Sequence, residues 1–130
     1  MEYIGRKKRL WFPGATYHLM ERGVRRQPIF EDELDYKIFL EIMKRTTEKY
    51  EAKVHAYCLM TNHIHLLLET GECEIGIIMQ KIAGDYARTY NKKYGYRGHV
   101  FEDRYKSIIV EVSQLVLCRG LFELDDILHN

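Results

Sequence analysis

Leu59–Glu69 reads LMTNHIHLLLE, and the fold of this 130-residue chain turns on that stretch. Thr61-Asn62 is a candidate two-residue turn, although Asn-Gly would be a stronger signal. It separates two strands, KVHAYCLM (53–60) and HIHLLLE (63–69), each rich in apolar and β-branched or aromatic residues. Side chains alternate across a strand, so His63 and His65 point to one side, about 6.5–7 Å apart along the backbone. With that turn, Met60 faces His63 and Cys58 faces His65. Tyr57, Leu59, Ile64, Leu66 and Leu68 then share the opposite face, where helices are expected to pack. A slip of one residue would exchange the two faces.

The flanking sequence supplies the partners. ATYHLMERG (15–23) reads as a strand closed by Gly23. The segment 31–50 is an amphipathic helix, with Leu34, Ile38 and Ile42 stepping by four, as do Phe39 and Met43, and acids crowding its first turn. A second helix is expected over 74–94, with Ile75, Ile78, Met79, Ile82, Tyr86 and Tyr90 at helical spacing and Gly76 and Gly84 weakening it. GYRG (95–98) turns the chain and DRYKSIIVE (103–111) is a fourth strand. In the tail, Leu117, Leu121, Leu124 and Leu128 repeat at helical spacing, interrupted by Gly120. The order strand, helix, strand, strand, helix, strand, helix predicts a ferredoxin-like α+β fold, an antiparallel sheet with helices mainly on one face.

Length predicts a single domain over 1–130. No run of 18 apolar residues argues for a membrane span, and the basic N-terminus lacks the apolar region of a signal peptide. Cys58, Cys73 and Cys118 are widely spaced and form no C-x-x-C pair, so neither a zinc knuckle nor a disulfide framework is supported and a cytoplasmic location is the default. The net charge of +1 hides an alternation: +5 over 1–30, −5 over 31–80, +4 over 81–110 and −3 over 111–130. Trp11 and several tyrosines are mixed into the basic zones. Basic groups bind phosphates and aromatic faces stack on unpaired bases, so the mixture suits single-stranded nucleic acid; an ordinary mixed surface is the plainer alternative.

Two imidazoles on adjacent outward positions suit a divalent cation. A pair of half-buried strand histidines with backbone partners is the alternative, and the more frequent one for an isolated His-x-His. Histidine-triad hydrolysis would need a histidine where Leu67 stands. Zinc deamination would need H-x-E with a later C-x-x-C, and serine hydrolysis a G-x-S-x-G elbow; the chain has none of these. Metal-assisted phosphoryl transfer remains.

WFPGATYHLMERG, AYCLMTNHIHLLLET and YNKKYGYRGHVFEDRYKSIIVE, agreeing in order and spacing over about residues 9–111, resemble the HUH class of single-strand transposases. The nearest resemblance is to the REP-associated tyrosine transposases, relatives of the smallest insertion-sequence transposases. The resemblance implies binding of single-stranded or hairpin DNA, usually as a homodimer. It implies Mg²⁺ or Mn²⁺ on the His63 and His65 pair, and attack of a tyrosine on a backbone phosphate. It also puts Arg22, Arg25, Arg97, Arg104 and Lys106 in blocks that face DNA, with solvated surface charge as the alternative for each.

The chain departs from that pattern in its tail. The position matching the nucleophile, on a helix about ten residues beyond the last strand, falls on Phe122, and no tyrosine follows Tyr105. The expectation is a segment from about residue 112 that is divergent or truncated, with strand cleavage impaired. Tyr86 and Tyr90 are the helix tyrosines that could substitute, though their spacing suits the core. The family's third metal ligand comes one turn beyond its tyrosine, where Asp126 has the matching offset. A non-enzymatic single-stranded nucleic-acid-binding domain is the second reading, and a domain kept for dimerisation alone the third.

Overall fold

The computed structural model describes residues 11–110. Four strands and two helices follow the expected order: β1 (Thr16–Arg22), α1 (Glu33–Lys49), β2 (Lys53–Leu59), β3 (His63–Glu69), α2 (Ile75–Tyr94) and β4 (Lys106–Val110). The sheet order is β2-β3-β1-β4, and every neighbouring pair is antiparallel. β3 is therefore inserted between β1 and β2, and β1 between β3 and β4. These interleaved crossovers make the ferredoxin-like α+β fold expected from the sequence. The expected tail helix, with Phe122 and Asp126, lies outside the described residues.

The β2–β3 hairpin has the register that the two-residue turn requires. Cys58 pairs with His65 and Leu59 with Ile64, and the Met60 amide donates to the His63 carbonyl at 2.8 Å. Tyr17, Leu19, Ile64, Leu66 and Leu68 line one face and are at most 2% exposed. α1 covers this face with Phe39, Ile42 and Met43, and α2 with Ile75, Ile78, Met79, Ile82, Tyr86 and Tyr90, the set given by its spacing. Gly76 and Gly84 do not interrupt α2, because its buried apolar stripe outweighs a propensity cost of about 1 kcal/mol each. Gly95, at φ 70, closes the helix in the left-handed region that glycine favours.

Three expectations are corrected. Tyr57 is 37% exposed, because β2 is an edge strand whose outer side chains the helices do not cover. Leu34 is 53% exposed, and the adjacent Asp35 is buried in its place. Asp32 caps α1 and forms a reciprocal capping box with Asp35. The Asp35 carboxylate also accepts from Tyr94 Oη at 2.7 Å and Lys93 Nζ at 2.9 Å, so the buried charge is paired with the end of α2. The fourth strand begins at Lys106 rather than Asp103. A bulge between Val54 and Ala56, at His55, was not legible in the sequence.

Candidate metal and nucleic-acid site

The face opposite the helices carries both histidines of the His-x-His pair. In one row across the strands stand Cys58, His65, Met20 and Lys106. In the next row towards the hairpin turn His63 pairs with Arg22, and on the other side His18 pairs with Leu67 and Ile108. The alternation that buries Leu66 and Leu68 thus delivers both histidines to the face opposite α1 and α2, where Leu67, the cross-strand partner of His18, is fully buried. They are half-buried there rather than fully solvent-facing. Their ring centroids are 5.2 Å apart with planes at 80°.

The hydrogen bonds fix how His63 is oriented. The Arg26 carbonyl can only accept, so the Asn62 side chain must present its NH₂ there, at 3.2 Å. Asn62 Oδ1 then faces His63 Nδ1 at 2.8 Å, and Nδ1 must be the donor. A neutral His63 therefore carries its lone pair on Nε2. His65 Nδ1 lies 3.2 Å from His18 Nε2, and a His65 that donates there also keeps Nε2 for a ligand. Burial holds both rings below the ordinary histidine range, with Arg22 adding to it at His63. His65 is pushed down to about 4, by burial first and then by His18, His63 and Arg22. Burial also lowers His18. Neutral imidazoles are the form that binds a cation.

Among the described residues no three His, Cys, Asp or Glu side chains are grouped so as to hold a metal ion. His18 directs its ring nitrogen at His65. His63 and His65 by themselves could supply at most two ligands to a cation.

The other candidate residues divide between regions. Arg22 and Lys106 share the histidine face. Arg25 and Arg97 line a separate cleft. Arg104 is exposed in the segment before β4. Tyr86 and Tyr90 belong to the core on the opposite side of the sheet from the histidines. The Tyr86 hydroxyl donates to the Ile29 carbonyl and that of Tyr90 to the Pro28 carbonyl and Glu31. Burial pushes both phenols up, so neither resembles an activated nucleophile. His18 and Asn62 were missed as site residues. Alternation in HLMER places His18, Met20 and Arg22 on one face, but the strand's adjacency to β3 is not written in its own residues.

Fold and site together define a ferredoxin-like domain that carries a histidine pair and basic side chains on the sheet face opposite its two described helices. Residues 12–119 match the family model for IS200-like transposases, and the chain belongs to that family. The match continues past Glu111, where the recognised sequence blocks end. No curated protein sequence matches the chain. Solved structures that share its fold include two transposase-type proteins. One, a REP-associated tyrosine transposase bound to a REP hairpin, has a TM-score of 0.66 and 12% identity over 83% of this chain and 63% of its own. The chain thus spans less than two thirds of that protein. The other, a Deinococcus radiodurans R1 protein assigned as a transposase, has a TM-score of 0.63 and 19% identity over 92% of this chain and 97% of its own. No helix among the described residues is long and apolar enough to cross a membrane.

Proposed function

We propose that this protein is a cytoplasmic transposase-type domain, one unit over 1–130, that binds single-stranded or hairpin DNA as a homodimer. Its sheet face presents a divalent cation to a backbone phosphate. Family membership supports the transposase reading, and the REP hairpin in a structural neighbour supports a nucleic-acid hairpin as ligand. The observation that carries the site is the pair of neutral imidazoles, one with its Nε2 lone pair fixed by Asn62, flanked by Arg22 and Lys106.

His63 and His65 would hold the cation, with Asp126 as the third ligand. When bound, the cation stabilises charge developing on the phosphate. Arg22 and Lys106 supply further positive charge to hold the strand, with Arg25, Arg97 and Arg104 beyond. Imidazole ligands favour Mn²⁺ over Mg²⁺. Phe122 stands where the family's tyrosine is expected and has no oxygen to attack with, so this copy binds DNA with strand cleavage impaired.

Calorimetric titration with MnCl₂ tests the site. Binding by the wild type and its loss in His63→Ala are expected, and equal binding by both would overturn the metal assignment. Incubation with single-stranded DNA and Mn²⁺ tests the cleavage reading. A covalent adduct abolished by Tyr86→Phe or Tyr90→Phe would contradict it.

A further inference from the structure

A cleft of about 490 Å³ opens between the 3-10 turn Val24–Arg26 and the C-terminal end of α2, and neither His63 nor His65 lines it. The volume lies within the range of about 300–1,000 Å³ typical of small-ligand sites. One wall carries Arg25, and the other carries Tyr90, Tyr96, Arg97 and His99. Tyr96 stacks on Tyr94 with centroids 5.8 Å apart and planes at 24°, and it is still 51% exposed. Glu31 also lines the cleft, and its carboxylate accepts the Tyr90 hydroxyl.

Both walls are held in place. Arg25 and Arg26 are successive non-glycine residues in the left-handed region, at φ 54 and 59. Such residues persist where the surroundings over-determine them, and they cluster at ligand clamps. Here the Val24 amide donates to Val100 O and the Gly23 amide to Asn62 O, each at 2.8 Å, and Asn62 Nδ2 holds the Arg26 carbonyl. On the far side Asn91 Nδ2 donates to Gly98 O at 2.9 Å, fixing the turn that carries Tyr96 and Arg97. The Asn62 amide that braces the Arg25 wall also orients His63, so the cleft and the histidine face share one support.

We propose that this cleft seats one unpaired nucleotide of the bound strand, its base against Tyr96 and its phosphate between Arg25 and Arg97. An aromatic face beside two guanidinium groups is what a stacked base and a bidentate phosphate require. A strand held there is delivered towards the histidine face through the turn that Asn62 braces. The inference rests on the DNA-binding reading above.

Fluorescence anisotropy tests it with a labelled DNA hairpin, either blunt or carrying a flank of about four unpaired thymidines, a length in the range one small domain covers. The wild type is expected to prefer the flanked hairpin. Arg97→Ala and Arg25→Gly should each weaken flanked binding about tenfold, as loss of a charge-assisted phosphate contact does, and weaken blunt binding less, so that the preference for the flank shrinks. Glycine relieves the left-handed backbone at Arg25, so Arg25→Gly should melt no lower than the wild type. Weaker flanked binding at unchanged or higher Tm separates ligand contact from structural support. No preference for the flank, or no change in either variant, overturns the cleft assignment while DNA binding stands. Failure of the wild type to bind either hairpin removes the DNA-binding reading, and this inference with it.

Discussion

Asn62 is the residue on which the site's orientation depends. Its amide satisfies a backbone carbonyl on one side and fixes a histidine tautomer on the other. Asn62→Ala is expected to lower Mn²⁺ affinity about 10–100-fold, the usual effect of removing a ligand's hydrogen-bond partner, as read by calorimetry. His65 gives a pH prediction for the metal-free protein. Its folded pKa is about 4, against an ordinary histidine value of 6.5. Between those values the unfolded chain takes up a proton that the folded chain refuses. Stability is therefore full above about pH 6.5 and falls as pH drops towards 4, by on the order of 2 kcal/mol. Urea denaturation at pH 7 and pH 4.5 should show this loss, and His65→Phe should reduce it. An unchanged acid dependence in that variant would refute the assignment.

At the scale of elements, the helices are held by polar ties as well as by the apolar core. Asp35 lies in the first turn of α1, yet it pairs with Lys93 and Tyr94 at the end of α2. Although burial pushes its carboxyl up, the Lys93, Tyr94 and Glu31 hydrogen bonds hold it below the usual range. Asp35→Ala removes the capping box and both inter-helix bonds, and should destabilise by about 2–4 kcal/mol in chemical denaturation. Tyr86→Phe removes only the bond to Ile29 O and should cost about 1–2 kcal/mol without altering DNA binding. The face of α2 was legible because its apolar residues recur with the helical period. That of α1 was not legible at Leu34, because a buried ion pair, which apolar periodicity does not register, sets the packing of its first turn.

At the scale of the whole molecule, the two faces of the sheet differ. One is sealed by both helices, and the opposite one carries His63 and His65 with Arg22 and Lys106. Binding to a single-stranded hairpin should weaken linearly on a log–log plot against salt. Lys106→Ala should reduce the slope by about 0.7–0.9, the release of one phosphate's counterion. A slope unchanged in Lys106→Ala would place the strand elsewhere. Sedimentation of the protein alone should report the homodimer proposed above.

Sequence by itself determined the strand and helix order, the turn at Thr61-Asn62 and the register that puts His63 and His65 on one side. Each of these follows from local periodicity, since a two-residue turn fixes which side chains face each other. Tertiary structure decided the register in which β1 lies beside β3, which brings His18 to His65 and Arg22 to His63. It also decided that Arg25 and Arg97, 72 positions apart in the chain, share a cleft. Such contacts join distant segments, and only the closing of the sheet and the docking of α2 create them.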